Sequence, residues 1–180
     1  MSLLKQATFN TKSNRPSFYP KRNIVIAALT LGAVVLASII WWLASPLFIN
    51  IVVDEPFPFA TDGAMVVNRG HFVDMNFLHR GSGSATVLQQ GDQRVLRLEA
   101  FEVTNGPDLR VLLVENIEGT DNSNGADNSL GEHVDLGALK GNIGNQNYKI
   151  PADVDLSKYG GVMIYCEPFH VVFSTADFGG

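Results

Sequence analysis

The sequence predicts an all-β domain, an antiparallel β-sandwich or barrel-like sheet, preceded by one N-terminal transmembrane helix. Two observations carry this prediction. From Ala64 onward, short apolar runs alternate with Gly, Asn and Asp turns, and no helical period is sustained. From Asn23 to Val53, by contrast, no side chain is charged. With 46% hydrophobic and 17% charged residues, the 180-residue chain has the composition of one folded core plus an appendage.

Taken in order, residues 1–23 form a tail that carries Lys5, Lys12, Arg15, Lys21 and Arg22 and no acidic residue. Residues 24–43, IVIAALTLGAVVLASIIWWL, are the span. At about 1.5 Å per residue they cover the roughly 30 Å of bilayer hydrocarbon. Only Thr30 and Ser38 interrupt the run, so the polar stripe of a soluble core helix is missing. A cleaved signal peptide requires small residues before its cleavage site, and Trp42 or Leu43 stands where one is needed; an uncleaved anchor is therefore expected. The positive-inside rule keeps the basic tail in the cytoplasm and exports the remainder, and Trp41 and Trp42 suit the far interface. The expected partner of residues 24–43 is the lipid bilayer.

Residues 44–63 contain Pro46, Pro56 and Pro58 without a clean period, and read as a semi-extended spacer. Residues 64–180 are the exported domain. Its strand candidates are Ser84 to Gln89, closed by Gly91-Asp92; Arg94 to Val103, with a bulge where apolar parity changes after Leu98; and Leu109 to Val114, apolar enough to be covered on both faces. Asn105-Gly106-Pro107-Asp108 is a turn in which Gly106 can take a positive φ and Asp108 can accept from nearby N–H groups. Glu115 to Asp135 reads as a long surface loop, followed by strands at Tyr148 to Ile150, Gly161 to Cys166 and Phe169 to Thr175.

Without the five positive charges before the span, a net charge of −5 becomes one near −10, a surface that disfavours nucleic acid. The lone cysteine, Cys166, has no second cysteine in the chain with which to form a disulfide. It stays free, pairs with another chain or binds something.

The order of motifs carries a family resemblance. Gly81-Ser-Gly-Ser-Ala-Thr-Val, Leu98 to Val103 running into Asn105-Gly106-Pro107-Asp108-Leu109, and Leu136-Gly137-Ala-Leu139-Lys140-Gly141 come first. Asn145-Gln146-Asn147-Tyr148, Ile150-Pro151, Tyr159, Ile164-Tyr165-Cys166, Val172-Phe173 and Ala176 follow. From about Gly70 to Phe178 the chain resembles the DM-thirteen domain, an all-β family often described as an electron-transfer domain. The resemblance implies a redox role resting on a characteristic cysteine, here Cys166, either as a bare thiol or as the holder of a prosthetic group such as haem. The family commonly has tryptophan where this chain has Tyr165.

Read from the residues themselves, Cys166 shares a strand face with Val162 and Ile164, which points its sulfur inward. His170 is the nearest candidate partner in sequence, beyond Pro168, where a strand can break. The two are the candidate site: Cys166 as redox thiol or ligand, His170 as a second cofactor contact. Non-covalent haem with an axial Cys166 and a site with no cofactor are both compatible with the sequence, whereas the Cys-x-x-Cys-His haem attachment is absent. A copper centre would need a second imidazole from His71, His79 or His133 and a methionine, but Met163 precedes the cysteine; no metal set is assigned. Asp121, Ser123, Asp127 and Glu132 mimic calcium-loop spacing, yet Ala126 replaces the turn glycine, so a solvated loop is expected.

No nucleophile elbow, zinc-protease motif or phosphate loop is present, so the sequence favours an electron-transfer or binding module over a classical enzyme. Two functions survive: a membrane-tethered redox domain working with a redox protein partner, and a non-catalytic module that binds protein or glycan in adhesion while Cys166 serves packing.

Overall fold

The computed structural model describes residues 21–45, 49–59, 63–117 and 130–179. They fall into two units that divide between Trp42 and Leu43. The first contains a helix, α1, spanning Lys21–Ala44. Its segment Arg22–Trp42 is 21 residues long, with a mean hydropathy of 2.6, and meets the length and composition needed to cross a membrane. Its two hydroxyls are satisfied within the helix: Thr30 donates to the carbonyls of Ile26 and Ala27, at 3.1 and 2.9 Å, and Ser38 donates to Val34 at 2.8 Å.

The second unit is a single sheet of nine strands curled into a half-barrel. The strands are β1 Val52–Asp54, β2 Met65–Asp74, β3 Gly81–Gln90, β4 Gln93–Val103, β5 Leu109–Val114, β6 His133–Ala138, β7 Ile143–Ile150, β8 Gly161–Cys166 and β9 Val171–Asp177. Their spatial order is β1-β7-β4-β3-β2-β9-β8-β5-β6. Every pairing is antiparallel except β1 with β7, which is parallel. The all-β expectation holds, and of its two forms the barrel-like sheet is the one observed.

Strand β2 turns the sheet. Its first part pairs with β3 as far as His71, and Phe72–Asp74 pairs with β9 instead. At the changeover Gly70 lies against the backbone of Asp177, where a Cβ would collide with the carbonyl. Within the curl, Phe72 and Phe101 meet edge to face with centroids 4.9 Å apart. They join Leu96, Leu98, Val111, Leu113, Ile150, Val162 and Ile164 in the main core. The parity change after Leu98 is a bulge: pairing with β7 shifts between Leu98 and Phe101, with Ala100 at φ 46°. Strand β5 is covered on both faces, as its apolar run predicts. Leu109, Val111 and Leu113 face the main core, while Leu112 and Val114 join Met163, Tyr165 and Val172 in a second cluster.

Two expectations are corrected. The stretch read as a spacer contributes β1, and Phe59 behind it is buried. Here a strand of three residues is too short for alternation to reveal it. The enabling signal lies elsewhere in the chain, at Gly144 (φ 106°), whose missing Cβ makes room for the Val53 carbonyl. Glu55 then fastens β1: its carboxylate accepts from Lys140 Nζ and from the Asn147 N–H, each at 2.7 Å. The long loop is also shorter than expected, because its last residues, His133 to Asp135, belong to β6. Of the calcium-like positions, Asp121, Ser123 and Asp127 lie outside the described residues. Glu132 uses its backbone carbonyl to accept from the Glu115 N–H at 3.2 Å.

Burial alone would raise the Glu55 carboxyl. The Lys140 and Asn147 hydrogen bonds, with the charges of Lys140 and Arg97, outweigh it and hold the group below its usual value. A carboxyl depressed in the folded state stabilises above its unfolded value, and that stability is lost as pH falls through the lower folded one. Urea unfolding across that window should show an acid-dependent loss of up to about 1 kcal/mol that Glu55→Gln removes. Gly144→Ala should cost about 1–3 kcal/mol at any pH.

Candidate functional site

Four of the connections, β2–β3, β4–β5, β6–β7 and β8–β9, fall at one end of the half-barrel, as antiparallel pairing requires. They are laced together. Thr104 N–H donates to the Arg80 carbonyl at 3.0 Å, Val103 N–H to Asn142 at 2.9 Å and Glu167 N–H to Asp108 at 3.2 Å. The chain enters the domain at the same end, where Asn50 Oδ1 accepts from the side-chain amides of Asn105 and Asn142, each at 3.0 Å.

Cys166 closes β8 just beneath this end. All six residues of β8 are buried, and their alternation sends Val162, Ile164 and Cys166 to the main core and Met163 and Tyr165 to the second cluster. The inward sulfur expected from the sequence is therefore observed: Cys166 is 0% exposed. Its thiol donates to the Pro107 carbonyl at 3.1 Å. Burial pushes the thiol above its ordinary range, opposed by a Phe169 N–H and reinforced by the charges of Asp108 and Glu167. At neutral pH the group is a thiol rather than a nucleophilic thiolate.

His170 does not join it. The hydrogen bond of the His170 ring is to the Tyr165 hydroxyl, with Nδ1 and the oxygen 2.9 Å apart. Tyr165 belongs to the opposite sheet face from Cys166, so adjacency along β8 separates the two candidate residues. The sequence allows the strand's alternation to break at Pro168, and a shared Cys166–His170 site depends on its continuing. The turn at residues 167–170 interrupts that alternation, and His170 sits at φ 53°.

The Asn105–Asp108 turn also works differently from its sequence reading. Asp108, at φ 44°, takes the left-handed conformation in place of Gly106. Gly106 is instead needed for close approach, since a Cβ there would stand 2.5 Å from Phe173 Cζ. The functional contact that sequence reasoning missed is the Pro107 carbonyl as acceptor for the thiol. A proline signals a turn but says nothing about which side chain its oxygen will meet.

Neither metal nor haem is well served by this arrangement. No group of three or more His, Cys, Asp or Glu side chains placed to hold a metal ion occurs among the described residues. His133 is exposed with its ring against the Gly131 carbonyl, and the His79 ring packs at a tilt on Phe173 with centroids 4.4 Å apart. An axial haem thiolate requires a deprotonated sulfur with an open side. The enclosed, proton-bearing sulfur of Cys166 does not fit that group.

A native thiol in this setting should resist labelling. A disulfide reagent at pH 7 is expected to modify Cys166 at least about 100-fold more slowly than an unstructured cysteine, because only the opened, deprotonated fraction reacts. Labelling should become complete in denaturant, and equal rates in the two conditions would contradict the burial described.

No curated protein and no solved structure gave a significant match to this chain. The family model described as Electron transfer DM13 matches residues 71–178, more than half of the chain, from the turn of β2 to the end of β9. That interval contains Cys166 and all four connections at its end of the half-barrel. The chain belongs to the electron-transfer DM13 family.

Proposed function

We propose that this protein is a membrane-anchored, extracytoplasmic redox domain of the electron-transfer type, with Cys166 as the group on which the redox role depends. The family match over residues 71–178 is the observation that carries the reading. Supporting it, Cys166 lies between two turns, 105–108 and 167–170, each containing a non-glycine residue at positive φ, Asp108 and His170. Such conformations gather at functional sites, although Asp and His tolerate them better than most residues. The anchor rests on α1 and the orientation on the basic residues before it, which favour a cytoplasmic tail.

The reversible oxidised forms of a lone thiol include a disulfide to a sulfur from another molecule and a sulfenic acid. The first returns to two thiols on taking up two electrons and two protons. The second returns to one thiol by the same uptake, with release of water. Because the resting thiol is enclosed, either form requires local opening around Cys166 first.

A second reading has its own support. Complete burial and a raised pKa are what an inert packing cysteine shows, and they fit a domain that binds a protein or glycan partner through its loops. The two readings separate in a reductive titration of the full chain purified from its own membranes. The redox reading expects the air-oxidised wild type to take up more electrons than Cys166→Ala: about two per chain for a sulfenic acid or a disulfide to a different molecule, and about one per chain for a disulfide between two copies. Equal uptake, in a variant destabilised by only about 1 kcal/mol, would leave the binding module.

A further inference from the structure

We propose that the end of the domain bearing Phe77, Leu78 and Phe169 docks onto the surface of the bilayer that holds α1. This proposal rests on reading α1 as an anchor. Single exposed apolar side chains are ordinary, but apolar residues gathered at the loop tips of one end are not. Phe77 is 84% exposed, Phe169 64% and Leu78 61%. Ile49 and Ile51 are exposed beside Asn50, where the chain enters at the same end.

The tips are held out by built turns. Asn76 Oδ1 accepts from the Leu78 and His79 N–H groups, each at 2.9 Å, while Met75 N–H donates to the His79 carbonyl at 2.9 Å. The His79 ring rests on Phe173, so the backbone folds inward on both sides of Phe77 and Leu78 and leaves these two in solvent. Phe169 occupies the β8–β9 turn, whose neighbouring His170 is bonded to Tyr165. At the opposite end, exposed Met65 and Val66 lie along a strand rather than at loop tips.

Chain connectivity identifies the occupant. Seven residues separate Trp42 from Asn50. Fully extended, they reach at most about 25 Å. A tether that short holds the Asn50 end within reach of a bilayer spanned by α1, whereas the Gly91-Asp92 turn lies at the far end of β3. It also raises the effective concentration of the surface, so a shallow, weak insertion is enough. Exposed Asp108 and Glu167 share this end with exposed Arg80 and Lys140, so neither sign of charge dominates and a zwitterionic bilayer is the matching one.

The test uses the full chain in phosphatidylcholine vesicles with brominated acyl chains. Trp41→Phe and Trp42→Phe remove both native tryptophans, and one tryptophan is then placed by Phe77→Trp, Phe169→Trp or Asp92→Trp. Flotation comes first, and a chain that does not float with vesicles overturns the anchor reading and the docking with it. In floated chains, Phe77→Trp and Phe169→Trp should be quenched about twofold or more relative to plain lipid, with Asp92→Trp unchanged. Adding Phe77→Ser and Leu78→Ser to the Phe169→Trp chain should relieve its quenching while the chain still floats. Floated chains in which all three positions are quenched alike, or none is, overturn the docking and leave the anchor standing.

Discussion

The half-barrel depends on one strand serving two neighbours. β2 pairs with β3 along its first part and with β9 along its end, and the direction of the sheet changes where it switches. The switch needs Gly70, because the backbone of Asp177 fills the place of a Cβ. Once the sheet curls there, the inward faces of β3, β4 and β7 meet those of β5, β8 and β9 across a single core. The outer faces of β5 and β8 would then be apolar and wet. The second cluster covers them with Met75, Ile117 and Leu130 from adjacent connections. Without the curl there would be no enclosed place for the Cys166 sulfur.

What was legible in the sequence follows from how local each signal is. β5 announces itself because Leu109 to Val114 is apolar on both faces, and the bulge in β4 because parity breaks between Leu98 and Phe101. Period-two reasoning also placed the Cys166 sulfur indoors. For His170 the break that Pro168 allows is a turn, which resets the alternation. The same reasoning failed for β1 because a strand of three residues is too short to show a period. The information that puts Val52–Asp54 into the sheet sits about ninety residues later, in Gly144, Lys140 and Asn147, and only the fold brings the two stretches together.

The candidate site trades reactivity for protection. A cation beside the sulfur would favour a thiolate. This chain supplies a carbonyl acceptor, an enclosed core and two nearby carboxylates, all of which keep the proton on. Tyr165, where the family commonly has tryptophan, uses its hydroxyl to tie the following turn to β8 through His170. The turn after the cysteine is thus fastened from the sheet face opposite the sulfur.

The parallel pairing of β1 with β7 has a mechanical consequence. The described chain enters the domain at Asn50 and leaves at Phe178, at opposite ends of the half-barrel. A pull applied between those points runs along β1 and along β9. It loads their hydrogen bonds sideways, many at once, rather than peeling them open one at a time. Such a geometry resists force better than its thermodynamic stability alone would indicate. The first bonds to yield are those of the three-residue strand β1, leaving the core around Phe72 and Phe101 to bear the load after β1 has slipped.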